Sequence, residues 1–208
     1  MAHQHTGLQA GSMHARVDGM ADTKLIWNES SWAVRILTGL ALAASLIGVW
    51  ARFRHLGYIE TPIFDEVYFP IFANAFLHHK IAFDVHPPLG KFFLAIGIYL
   101  FGDTPFGWRI VPACFGLLNV GLLLAVWRSM NGGQAGFSIL LSLAALDGSL
   151  IVYSRTGLLD GLLLSGILLC VWLAWQSEHG RSLLPLTLAL GMVCAIKWIG
   201  LGVLVPVL

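Results

Sequence analysis

Apolar runs of near bilayer length recur along this chain, and they leave it few ways to fold. A helix rises about 1.5 Å per residue, so crossing a hydrocarbon core takes about 20 residues. Ala33 to Trp50, Ile110 to Trp127, Ala135 to Tyr153 and Gly157 to Trp175 approach that length. Leu183 to Ile196 returns, and Ile199 to Leu208 begins a further span. Arg128 to Gln134, Ser154-Arg155-Thr156 and Gln176 to Arg181 are the polar turns between them. Trp27 and Trp32 before the first run, and Trp50 with Phe53 after it, suit the two aromatic belts of a membrane. The expected fold is an all-α, polytopic transmembrane helical bundle. Only 11% of the 208 residues are charged and 57% are hydrophobic, with mean hydropathy +0.78, whereas a soluble domain is about 25% charged.

Residues 1–24 have no apolar period and carry His3, His5 and His14, so they are expected to form a disordered tail. A signal peptide would place a short apolar core nearer the start. Nothing fixes the three histidines in a coordination geometry, and no other His, Cys and carboxylate set has ligand spacing, so neither a metal nor a cofactor is expected. Cys114, Cys170 and Cys194 lie inside apolar runs and read as packing residues. A net charge of +1 without a basic stripe excludes nucleic acid as a partner.

Charge concentrates between Phe64 and Lys91, where it is costly beside a membrane and needs a reason. Phe69, Phe72, Ala73 and Phe76 fall at i, i+3, i+4 and i+7, an apolar stripe too short to span. It predicts an amphipathic helix lying on the membrane surface. Leu89 to Phe101 predicts a second short helix, ending near Gly102-Asp103-Thr104-Pro105. If that helix does not cross, Asp65, Glu66, His86, Lys91, Arg109, Arg155, Asp160 and Lys197 all reach one membrane face. If it does cross, the set splits into two half-sites. Counting Lys and Arg, seven lie on the candidate site face and five on the other, so the positive-inside rule leaves orientation open.

Asp65-Glu66 at a helix start has a plain reading as capping. Lys91, Arg109, Arg155 and Lys197 come from four separated segments, and singly each could snorkel to the interface. Gathered beside a carboxylate, they suit a reaction in which phosphate leaves and a hydroxyl attacks. Phosphate departs without a proton donor, so one general base and phosphate-stabilising charges suffice. His86, between Asp84 and Lys91, is either a turn residue before Pro87 or a donor-phosphate contact. Asp160 orients a cation or contacts a sugar. Asp147 reads as a buried partner for a side chain on a neighbouring helix.

Phe64-Asp65-Glu66, Phe83-Asp84-Val85-His86-Pro87-Pro88-Leu89-Gly90-Lys91, Arg109-Ile110-Val111-Pro112, Ser154-Arg155 with Leu158-Leu159-Asp160, and Lys197-Trp198-Ile199-Gly200-Leu201 occur in this order. Together they resemble the successive motifs of the protein O-mannosyltransferases. The resemblance implies a glycosyltransferase bundle of the GT-C type with two juxtamembrane helices in its first extracytoplasmic loop. Polyprenyl-phosphate mannose would be the donor, and Ser or Thr of an exported protein the acceptor. Asp65 matches the family's proposed base and Glu66 its neighbour; Lys91, Arg109 and Arg155 match positions suited to the donor phosphate, which His86 and Lys197 would join. The resemblance also implies a multi-pass protein of the cell membrane with its motif face outside the cytoplasm and the 1–24 tail inside. Membrane lipids and the export machinery are the further partners. Family members are roughly twice as long, so residues 25–208 are expected to be the N-terminal part of the catalytic domain, truncated at the C-terminus. The rival readings are a GT-C transferase of another sugar to a lipid or glycan, and a non-enzymatic transporter or lipid-binding scaffold.

Overall fold

A computed structural model describes residues 31–81 and 83–203. The predicted tail, Trp27 and the end of the last apolar run lie outside the described residues. Helix α1, Trp32–Phe53, opens with Ser31 accepting from the Val34 N–H. A 3₁₀ turn, Phe64–Val67, leads to α2, Phe69–Leu77, and then α3, Leu89–Phe101. The longest helix, α4, covers Pro105–Ser129, with the Thr104 hydroxyl as its cap and Pro105 in the first turn, where the missing N–H costs little. The chain continues through α5, Gln134–Leu146; α6, Gly148–Ser154; α7, Asp160–Glu178; and α8, Leu184–Ile196. A second 3₁₀ turn, Trp198–Val203, follows. Among the described residues α1, α4 and α7 are each long and apolar enough to cross a membrane, and α5 with α6 makes a fourth span if the bent pair counts as one.

The sequence reads Ala135 to Tyr153 as one straight crossing; the structure breaks it by 53° at Asp147. Asp147 is exposed and caps α6 by accepting from the Leu150 N–H at 2.7 Å. Asp147 is thus exposed rather than buried and starts a helix, a position that favours Asp, while its charge faces Arg52 of neighbouring α1, an arginine partner of the kind expected of it. The break frees carbonyls at the end of α5, and buried Arg52 from α1 takes two of them, donating to Ala145 O at 2.7 Å and Ala144 O at 3.1 Å. Close approach of α1 and α5 depends on Gly48, since a Cβ there would lie 2.4 Å from Ala145 O.

The apolar stripe of α2 has protein partners. Phe69 and Ala73 on the α2 stripe are buried in the core with Leu94 and Ile98 of α3, Leu159 and Leu162 near the start of α7, and Val193 of α8. Phe76 meets the Phe92 ring at 4.9 Å, whereas Ile71 on the other side of α2 is exposed. The apolar stripe thus packs on protein. Helix α3 has 13 residues, about 20 Å of length against a hydrocarbon core of about 30 Å. Gly102, with φ +83°, turns the chain at its end, and Asp103 there accepts from Asn74 of α2 at 2.7 Å. Arg109, in the next turns, reaches back to Glu66 ahead of α2. The segment from Glu66 to Arg109 leaves and returns at one end of the bundle.

Of the three cysteines, Cys170 is buried in the core, but Cys114 is exposed and Cys194 half-buried. The packing role holds inside the protein only for Cys170.

Candidate functional site

The motif residues converge at the end of the bundle where α1 and α6 finish and α7 begins. Asp65 and Glu66, neighbours on the 3₁₀ turn, have different surroundings. Glu66 is 1% exposed. Its carboxylate accepts from Arg109 Nε at 2.8 Å and Nη2 at 2.7 Å, from the Gly157 N–H at 2.6 Å and from the Ile63 N–H at 2.9 Å. Arg109, 2% exposed, also donates to Leu56 O, Ile59 O and Thr61 O. This pair ties the loop after α1 to α4 and to the start of the α7 segment. A buried charge pair persists only when its remaining donors and acceptors are matched, and here they are. Asp65, one residue away, is half-buried, and its carboxylate has no hydrogen-bond or ion-pair partner among the described residues.

Asp65 lines a groove of about 310 Å³ with Tyr68, Phe72, Phe83, Asp84 and His86. The volume lies at the lower end of small-molecule sites, roughly 300–1,000 Å³. Asp84, Val85 and His86 form the wall that faces the 3₁₀ turn. Lys91 is 2% exposed and donates to Asp84 Oδ2 at 2.5 Å and to His86 O at 2.7 Å, so its charge holds this wall. Phe69 lies beneath, 6.0 Å from the His86 ring and 6.0 Å from Lys197 Nζ. Lys197 pairs with both Asp160 oxygens, at 2.9 and 3.0 Å, and is more open than Lys91. Arg155 is half-buried; its Nη1 donates to Ala51 O and Arg54 O, closing the end of α1.

All eight candidate residues therefore reach one end of the bundle, but they divide. Glu66 and Arg109 are buried against each other, and Lys91 is committed to Asp84 and His86, whereas Asp65, Lys197, Asp160 and Arg155 retain exposed surface. Sequence reasoning missed the Glu66 to Gly157 contact and the role of Arg52, neither of which has a local spacing signal. Asp84 and Lys91, seven apart, were visible as neighbours in sequence but not as a pair. Among the described residues no three His, Cys, Asp or Glu side chains converge as a metal-holding group.

Burial alone would raise the Asp84 carboxyl, but the Lys91 hydrogen bond, the His86 N–H and the charges of Lys91 and His86 outweigh it. Its pKa is held below the ordinary carboxylate value. Folding that depresses a carboxyl adds stability above the unfolded pKa, about 4 for Asp, and loses it as pH falls through the lower folded value. Acidification through that window is expected to release the wall, read as faster amide hydrogen exchange at Val85 and His86 relative to the intrinsic rate at each pH. Asp84→Ala should show the fast exchange already at neutral pH; slow exchange in that variant would mean the ion pair does not hold the wall.

A multi-pass helical membrane protein with an aromatic-lined groove carrying Asp65, Asp84 and His86 at one end of its bundle, of the GT-C type, is the class that this fold defines. Two family models described as dolichyl-phosphate-mannose-protein mannosyltransferase match the chain, one over residues 42–108 and one over residues 85–208. The chain belongs to that family. It is similar to the polyprenol-phosphate-mannose–protein mannosyltransferase of Corynebacterium glutamicum, 36% identical in an alignment 125 residues long that covers 54% of this chain and 24% of the relative. The Mycobacterium tuberculosis protein of the same name is 36% identical over 138 residues, 62% of this chain and 26% of the relative. Dolichyl-phosphate-mannose–protein mannosyltransferase 6 of Saccharomyces cerevisiae is 28% identical across 86% of this chain and 27% of its own length. The chain thus spans about a quarter of the length of these relatives. Among solved structures, the S. cerevisiae protein O-mannosyltransferase Pmt1-Pmt2 complex bound to the sugar donor matches with TM-score 0.70 and 25% identity, over 85% of this chain and 27% of that one.

Proposed function

We propose that the protein transfers mannose from a polyprenyl-phosphate donor to Ser or Thr hydroxyls of exported proteins, by a single displacement with inversion. The observation that carries this reading is the unpartnered Asp65 carboxylate in a groove whose floor, Phe69, lies 6.0 Å from Lys197 Nζ. Family membership and the names of the bacterial and yeast relatives support the choice of donor and of a protein acceptor.

In this reading Asp65 takes the proton of the acceptor hydroxyl as its oxygen bonds to the anomeric carbon. The bond from that carbon to the phosphate oxygen breaks, and its electron pair leaves with polyprenyl phosphate. Lys197, released in part from Asp160, and the free edge of Arg155 stabilise that phosphate. Asp160 orients Lys197. Lys91, holding the wall at Asp84 and His86, shapes the donor side from beneath, and Glu66 with Arg109 positions Asp65. The site face lies outside the cytoplasm, with α2 and α3 at the membrane boundary, where both the lipid donor and a protein emerging from the export machinery can reach it.

The test uses the longest reading frame that contains these residues, expressed in membranes with labelled polyprenyl-phosphate mannose and a Ser/Thr peptide. Labelled peptide with an α-linked product from a β-linked donor is expected. Label appearing only in a lipid or glycan, or sugar movement without a covalent product, would replace this reading by one of its rivals.

A further inference from the structure

We propose that Trp198 is a positioning residue for the donor side of the groove, acting through the carbonyl of Val85. This rests on the mannosyl-transfer reading of that groove. The Trp198 indole is 60% exposed, so packing does not account for its placement. Its Nε1–H donates to Val85 O at 2.7 Å, joining residues 113 apart in sequence. Val85 stands between the two groups that Lys91 holds, Asp84 and His86 O. Two side chains from different helix ends therefore fix three consecutive residues of one groove wall, Lys91 from within the bundle and Trp198 from outside it.

The segment that carries Trp198 is itself held rigidly. Gly200 approaches α8 so closely that a Cβ would lie 2.6 Å from Val193 O, and the Gly200 N–H closes the turn on Lys197 O at 2.9 Å. Lys197 is anchored on Asp160 and over the Phe69 ring. The Lys-Trp-Ile-Gly run thus divides its work. Lysine faces the phosphate side, tryptophan latches the wall, and glycine lets the turn sit on α8. A wall held at one end only would move by a fraction of its width, and misplacement on the order of 1 Å can cost about 10²-fold in rate.

Trp198→Phe removes the N–H and keeps a smaller aromatic ring, and because Trp198 is exposed the variant should fold. In the longest reading frame, in membranes, KM for the polyprenyl-phosphate sugar is expected to rise about tenfold. KM for the acceptor peptide should stay within about twofold, since Asp65 is on the opposite wall, and the melting temperature should not change. Combined with Lys91→Met, which frees the same wall, the loss should be less than the product of the two single losses. Unchanged donor KM in Trp198→Phe overturns the latch, as does an equal rise for donor and acceptor. Wild-type protein that binds the lipid-phosphate sugar but transfers nothing to peptide would overturn the function instead. Direct donor binding by wild type and variant separates the two failures.

Discussion

Asp65→Asn is expected to lower mannosyl transfer by about 10²- to 10⁴-fold, the range for losing a positioned general base. Asparagine keeps the size of the side chain and cannot accept the hydroxyl proton. The Asp65 carboxylate has no partner among the described residues, so the substitution breaks no contact and the protein should insert in the membrane as before. Initial rates with labelled donor and peptide, normalised to the amount of protein in the membrane, measure the effect. A rate within about threefold of wild type would remove Asp65 from the reaction.

The neighbouring carboxylate should behave in the opposite way. Glu66→Gln leaves Arg109 charged, 2% exposed and without a counter-ion, and it weakens acceptance from Gly157 and Ile63. Breaking a buried pair from one side costs about 3–5 kcal/mol. The expected result is a large fall in thermal stability and in the yield of folded protein after detergent extraction, with activity lost in proportion. Glu66→Gln with Arg109→Gln should recover part of that stability, because neither buried group is then charged. A single variant costing under about 1 kcal/mol would show that the pair does not tie the loop to α4. Adjacent residues of one motif would thus separate into a chemical role and a structural one, distinguishable by which measurement moves.

The division between Asp65 and Glu66 also marks how far the sequence reaches. Apolar run length and turn chemistry specify local structure, so α1, α2, α3, α4 and α7 were legible in the spacing of Phe69, Phe72, Ala73 and Phe76, in the Gly102 to Pro105 stop and in the long runs themselves. The same reasoning missed the break at Asp147, because an Asp-Gly step within an apolar run is only a weak helix stop until Arg52 donates to the freed carbonyls. It also gave no sign that the α2 stripe packs on α3, α7 and α8. Periodicity says which side of a helix is apolar but not whether lipid or protein covers it.

For the site, sequence order and parity were enough to bring the charged motifs to one end of the bundle. Ordering along the chain and the number of crossings determine which end a residue reaches. Which of those charges face a ligand was decided only by tertiary structure. Partners 43 and 91 residues away consume the Glu66 carboxylate, and a partner seven residues away buries Lys91. Burial and pairing belong to the folded surroundings of a side chain, and no spacing within one segment encodes them.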